Sequence, residues 1–464
     1  MRYGNTVITV KSGKKEYVMD IQFRRTKVGF VNLLWSVIKG QEKAVEASEK
    51  AKAYLRETLG VDIVELGEPV ASREQAVRAW KLCKAEDVDA LILYNGTYST
   101  GEIAVEIIRN LDCPLALWGI GELGLESQDV SGSMIGLLPA GTFCKNINRK
   151  FSFIYGDVAL QEVQEKLSVF IKAASAVAYL EEAKIAVIGV RPDGFEISDF
   201  DEFSIKAKFG TEITKLSLYS FSKFLDEIGE REIDEDMEVQ KRLFSIDEKY
   251  LDESRELSRI YLALKKYTSE NNIRSFAAGC WPEFRNREAR PFCTANGRLC
   301  TEGIMAACEA DVDGSLTMML QYVLSGGEAP WWADFCNIHE DCLTWWHCGN
   351  APYCNSCEKP VIDRVYEGLA QNASMRAGTA TVCRLNSIRG EYTLHAGVGE
   401  VVDKGVLLKG SNMSIRMKGG NMKYVESLLY NGIPHHTGLV YGDIMAELEE
   451  FARLMDIPFI DATK

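Results

Sequence analysis

Histidine is scarce in this 464-residue chain, with only five copies, and no long basic stripe offsets its formal net charge of −14. A phosphate backbone is bound by clustered Lys and Arg, so nucleic acid is excluded as a partner, and an anionic membrane surface for the same reason. No run approaches the ~20 apolar residues that span a bilayer. The segment starting at Met1 lacks the basic patch, apolar stretch and small-residue cleavage site of a secretory leader, which makes the cytoplasm the expected compartment. Also missing are a Walker A lysine loop, a serine nucleophile elbow, a zincin helix and any fixed-period repeat. The glycines of GIGELG (119–124) follow the apolar CPLALWG and are read as a tight strand–helix connection, so no nucleotide cofactor is expected.

What is present is the mixture of an ordinary globular protein, 46% hydrophobic and 26% charged, at a length sufficient for two or three cores. Residues 226–256 hold 13 Asp and Glu against five Lys and Arg, a pattern read as solvated helix and loop rather than a docking patch. Thirteen cysteines, an odd number, fit a reducing compartment better than a disulfide framework.

Residues 1–25 are polar and suit a short hairpin or extension. From Thr26 onward apolar strands alternate with amphipathic helices: TKVGFVNLLW, then EKAVEASEKAKAYLRETLG, then VDIVELG, then SREQAVRAWKLCKAEDV with Ser72 as its cap. The alternation continues through VDALILYN and CPLALWG, as in a parallel sheet covered on both faces. It restarts at AKIAVIGVRP, with DEFSIKAKFG a short helix stopped by Gly210. Beyond about residue 360 the pattern changes to antiparallel strands and turns. The expected architecture is therefore two successive parallel-sheet α/β domains, 1–172 and 173–355, followed by a mostly antiparallel β domain, 356–464.

Chemistry concentrates in the second half. TEGIMAACEADVDGSLTMMLQYVL (301–324) reads as one helix, in which Glu302 and Glu309, seven apart, share a face. Glu309, Asp311 and Asp313 interrupt an apolar surface, and a carboxylate buried there must be neutralised, paired or bound to a metal. Asp334 follows a tryptophan pair in APWWADFCN. His435 and His436 adjoin in GIPHHTG, read as a Pro/Gly-bounded loop in which the two rings point in different directions. Such oxygen and nitrogen donors suit Mn, Mg, Fe, Co or Zn, and an oxygen-rich set with one His leans to Mn or Mg. Nine cysteines lie between Cys280 and Cys357, including the Cys354–Cys357 pair. A second such pair is missing, so they are read as inert thiols rather than zinc or cluster ligands.

A linked series of motifs, CWPEF (280–284), ACEADVDG (307–314), PWWADF (330–335), WHCGNAP (346–352) and PHHTG (434–438), resembles the L-fucose/L-arabinose isomerase family, particularly its shorter fucose-isomerase-like members. The resemblance implies an aldose–ketose isomerase whose single Mn²⁺ is held by Glu309, Asp334 and the second histidine of the pair, His436, with His435 as the alternative. Glu309 and Asp334 would also carry the proton transfers. His347 is implied as an additional ligand or contact, and Trp281 and Glu283 as walls touching sugar hydroxyls. Arg24 and Arg25 are the candidates for the family's N-terminal substrate arginine. A homo-oligomer, often a hexamer, is implied too. Two rival readings stay open: a metal-dependent sugar epimerase or lyase, and a non-catalytic sugar-binding protein.

Overall fold

The computed structural model describes residues 6–12, 15–21, 24–35, 41–121, 132–287 and 290–464. Strands β1 (Thr6–Ser12) and β2 (Lys15–Ile21) form an antiparallel hairpin with Thr6 opposite Ile21. The rest divides into two compact units, the first centred on Phe23–Ala178 with Ala446–Ile457, the second on Tyr179–Met445 with Pro458–Lys464.

In the first unit β3 (Lys27–Leu33), β4 (Asp62–Val64), β5 (Ala90–Asn95), β6 (Leu115–Gly119) and β7 (Ser152–Tyr155) make a wholly parallel sheet, ordered β4-β3-β5-β6-β7. Every residue of β5 and β6 is buried, because crossover helices cover both faces. Alternate side chains feed two separate cores: Phe30, Ile92 and Trp118 on one face, Val31, Leu91 and Leu117 on the other. Ser72 caps its helix as expected, its side chain accepting the Gln75 amide.

The second unit begins with β8 (Lys184–Gly189) and β9 (Glu212–Leu216). The short β10 (Ser245–Ile246) precedes β11 (Ser275–Gly279) and β12 (Met305–Cys308). Four of these form a second parallel sheet, ordered β12-β11-β8-β9. Gly210, at φ 74°, ends the helix Glu202–Phe209 in the left-handed conformation that a side chain resists. The acidic stretch folds mainly into Glu230–Leu243 and the start of Leu251–Glu270. One of its acids is not solvated: Asp236 is buried and takes both Arg298 guanidinium nitrogens at 2.8 and 2.7 Å.

The remaining strands are β13 (Trp331–Ile338), β14 (Leu343–His347), β15 (Val361–Val365), β16 (Gly368–Ser374), β17 (Gly378–Ile388), β18 (Glu391–Val402), β19 (Ser411–Met417), β20 (His436–Tyr441) and β21 (Phe459–Asp461). Their sheet is mostly antiparallel, and pairing of β18 with β19 closes a six-strand ring, β19-β14-β13-β20-β17-β18. Closure removes the free edges of the ring, and Trp331, Trp345, Met413 and Leu439 contribute to its core. The architecture is thus two parallel-sheet α/β layers followed by an antiparallel β structure. Helix Val312–Leu324 is buried at every position because it packs on both β12 of the parallel sheet and β17 and β20 of the ring. Among the described residues no helix is long and apolar enough to cross a membrane.

Candidate metal centre

The segment 301–324 is not one helix. Strand β12 ends at Cys308, and a turn leads into Val312–Leu324. Apolar strand and apolar helix are alike in composition, and the break between them rests on two residues, Glu309 and Ala310, with φ of 54° and 56°. That left-handed pair is unfavourable for residues carrying a Cβ. It stops the strand and leaves Asp311 as the helix cap, accepting the Gly314 amide at 2.8 Å. Glu302 and Glu309 therefore share no helix face. Glu302 accepts the Tyr261 hydroxyl at 2.6 Å and the Lys265 ammonium at 2.8 Å, a separate polar cluster.

Sheet register supplies the next two groups. Asp334 of β13 lies directly opposite His436 of β20, and opposite residues of an antiparallel pair project to one face. His436 is accordingly a strand residue rather than a loop residue, and only His435 precedes the strand. His347 closes β14, the neighbour of β13 on its other side. The result is a compact cluster. Glu309 Oε2 is 3.5 Å from His347 Nε2 and 4.0 Å from His436 Nε2, and Asp334 Oδ1 is 3.5 Å from His436 Nε2. Glu309 Oε2, Asp334 Oδ1 and His347 Nε2 are buried without a hydrogen-bond partner. The two carboxylate oxygens are orphaned acceptors facing one cluster, which is costly unless something positive sits between them. Two donor groups able to hold an ion meet here, Cys308–Glu309–His347 and Asp334–His435–His436.

The orientation of His436 is fixed from behind. Its Nδ1 lies 3.0 Å from Asp311 Oδ2. Asp311 is also met by Arg384 Nη1 at 2.9 Å and Nη2 at 3.4 Å, while Arg384 Nη1 donates to the His436 carbonyl at 3.1 Å. Burial pushes the Asp311 carboxyl up, but the Arg384 charge and the His436 contact outweigh it and hold it at about 2. An ionised carboxylate only accepts, so His436 Nδ1 donates to it and Nε2 is the nitrogen that faces Glu309 and Asp334. Arg384 escapes sequence reasoning about the site, although a charge within the apolar ATVCRLNSI was a visible signal.

The three acids of EADVD thus lie in three different settings. Asp311 is paired and Glu309 faces the cluster. Asp313 is neutralised: burial raises its carboxyl to about 7, although the Arg384 charge opposes the rise, and Tyr392 donates to it at 2.8 Å. An exposed Asp releases its proton near ~3.9, so between these values the folded state binds more proton than the unfolded. The stability from Asp313 is complete below about 4 and is lost as pH rises through 7. Asp313→Asn is expected to flatten the fall in melting temperature between pH 5.5 and 8. An equally steep fall in the variant refutes this role.

Burial pushes the Asp334 carboxyl to about 6 against the opposing charges of His347 and His436. Burial and the charge of His436 lower His435 to about 4. Phe195, a wall residue without an evident sequence signal, stands 5.5 Å from Trp281, 6.3 Å from His435 and 6.1 Å from His436 between ring centroids. It thereby joins Trp281 to the cluster. Glu283 is exposed in the π-helical turn Glu283–Arg287, and no contact joins it to the cluster among the described residues. Arg24 is engaged by Asp89 at 2.6 Å, and Arg25 pairs with Asp62 at 3.6 Å. The thirteen cysteines are free thiols; Cys354 is buried and Cys357 exposed, its sulfur donating to the Met375 carbonyl. The glycines of 119–124 do have dinucleotide-loop spacing, yet they follow β6, which lies away from the β3/β5 switch point where such loops bind. Residues 122–124 lie outside the described residues.

Residues 346–463 match the family model described as the L-fucose isomerase C-terminal domain. The chain is a distant relative of sugar isomerases. It is 26% identical over 381 residues to a sulfoquinovose isomerase of Alkalicoccus urumqiensis, covering 80% of this chain and 86% of that one. A sulfoquinovose isomerase of Priestia aryabhattai is 25% identical over 385 residues, covering 81% and 85%. An L-arabinose isomerase of Saccharophagus degradans is 21% identical over 266 residues, 53% of each chain. The family-model match begins one residue before His347 and takes in His436, while Glu309 and Asp334 lie upstream of it.

Proposed function

We propose that this protein is a divalent-cation-dependent aldose–ketose isomerase acting on a free sugar, with Glu309, Asp334 and His436 as the cation's ligands and Mn²⁺ as the preferred ion. The observation that carries the reading is the convergence of Glu309 Oε2, Asp334 Oδ1 and His436 Nε2, two of them buried acceptors without a partner. Two carboxylates and one imidazole suit a hard or borderline cation. The relatives' names add the substrate class: pentose, deoxyhexose or a sulfonated hexose.

Moving a carbonyl between C1 and C2 requires a proton to leave a carbon beside that carbonyl. A cation bound at this cluster supplies Lewis-acid polarisation of the sugar carbonyl and offsets the charge of the enediolate. The chain does the rest. A carboxylate of Glu309 or Asp334 takes the proton from one carbon and returns it to the neighbouring one, and the other moves the proton between the oxygens. Asp311 and Arg384 keep His436 from rotating, and Phe195 and Trp281 give the sugar an apolar wall.

Protein supplied with Mn²⁺ and a panel of L-fucose, L-arabinose, sulfoquinovose and their ketoses tests the reading. The expected result is interconversion of one aldose–ketose pair, abolished by chelation and restored by Mn²⁺. Cleaved or epimerised product in its place moves the assignment to the lyase or epimerase class. Tight calorimetric binding of a sugar with no product under several divalent ions makes it a binding protein.

A further inference from the structure

The two buried histidines of the cluster are held in opposite tautomers. His436 donates from Nδ1 to Asp311, so that Nε2 is the nitrogen turned to the cluster. At His347 the partner is a donor: the Cys348 backbone N–H points at Nδ1 at 2.8 Å. Nδ1 must therefore offer its lone pair, which places the ring's proton on Nε2. That N–H is buried and meets no acceptor at hydrogen-bonding distance, since Glu309 Oε2 stands 3.5 Å away. The Cys308 sulfur, within 4.8 Å of these groups, already accepts the Asn296 and Asn350 amides at 3.5 Å each. An N–H cannot ligate a cation through the same nitrogen.

Building on the isomerase reading above, we infer that His347 is not a ligand of the cation but a catalytic hydrogen-bond donor, its Nε2–H aimed at an oxygen of the bound sugar. Glu309, Asp334 and His436 would then hold the ion, and His347 would meet the sugar from the Glu309 side. A fixed N–H donor at this point stabilises negative charge as it develops on the sugar oxygen. The geometry also makes the Cys348 amide the group that selects the tautomer.

The test separates ion binding from turnover. Mn²⁺ affinity, read by electron paramagnetic resonance titration, is measured for the wild type, His347→Leu, His347→Gln and His436→Gln. The inference expects both His347 variants to bind Mn²⁺ within about threefold of wild type, while His436→Gln weakens it roughly 10- to 100-fold or more. For the sugar that turns over, His347→Leu should lose about 10²-fold in kcat/KM, and His347→Gln, whose amide keeps a donor, should recover part of that loss. Loss of Mn²⁺ affinity in the His347 variants comparable to that of His436→Gln overturns the inference, as does undiminished turnover in His347→Leu. If the wild type isomerises no sugar, the function reading fails while the Mn²⁺ titrations still decide whether His347 is a ligand. Circular dichroism melts of each variant exclude misfolding as the cause of any loss, and nitrogen-15 histidine shifts of the metal-free wild type report the two tautomers directly.

Discussion

Glu309→Gln should abolish most turnover and weaken Mn²⁺ binding while leaving the fold intact. The variant is nearly isosteric, and Glu309 Oε2 makes no hydrogen bond whose loss would harm folding. What it removes is one negative charge, 3.5 Å from one histidine and 4.0 Å from another. Burial pushes the Glu309 carboxyl up, but His347 and His436 outweigh it and leave its value lowered, so it is ionised and ready to meet a cation. Loss of one preorganised charge at a reacting centre costs roughly 10²–10³-fold in kcat. The residue also sits at φ 54° with Ala310 at 56° beside it. A non-glycine residue held there costs about 1 kcal/mol or more. Glu309→Gly should therefore raise the melting temperature of the metal-free protein even as it destroys activity. That opposition marks a position kept for chemistry at the expense of stability. Full turnover in Glu309→Gln, with Mn²⁺ binding unchanged, removes Glu309 from the site.

The two parallel sheets were legible because helices bury both of their faces: β5 and β6 are continuous apolar runs bounded by amphipathic helices. The antiparallel end was legible from its turns and short apolar segments. The candidate cluster was legible as residue types in order, since carboxylates in apolar surroundings need a reason. Three features were not. The break at Glu309–Ala310 is set by backbone conformation, and EA carries no glycine to announce it. Closure of the six-strand ring depends on β18 meeting β19, a pairing of strands that also pair elsewhere. The opposite tautomers of His347 and His436 follow from single hydrogen bonds, one to a backbone amide and one to a carboxylate 125 residues away in the chain. None of these leaves a periodic trace.

Arg384→Met is the substitution expected to cost the most stability. Arg384 and Asp311 are each 1% exposed, and their ion pair is closed by the contact to His436. Removing the guanidinium leaves the Asp311 carboxylate buried with the imidazole and the Gly314 amide as its remaining partners, and it strips donors from the His436 and Ile197 carbonyls. Breaking one side of a buried ion pair costs about 3–5 kcal/mol, most of it the desolvation of the surviving charge. The burden falls on folding and on the site together, because Asp311 freed from Arg384 can take up a proton and no longer holds His436 in one tautomer. Urea unfolding of Arg384→Met should show that loss, with Mn²⁺ affinity reduced in parallel. The double variant Arg384→Met/Asp311→Asn separates the two effects. It removes the stranded charge and should regain much of the stability, yet its Mn²⁺ affinity should stay low because a neutral amide holds the His436 tautomer less firmly. Recovery of both in the double variant assigns the pair to folding alone. A single variant as stable as wild type means that the buried charge of Asp311 is compensated elsewhere, and His436 then loses the support on which its place as a ligand depends.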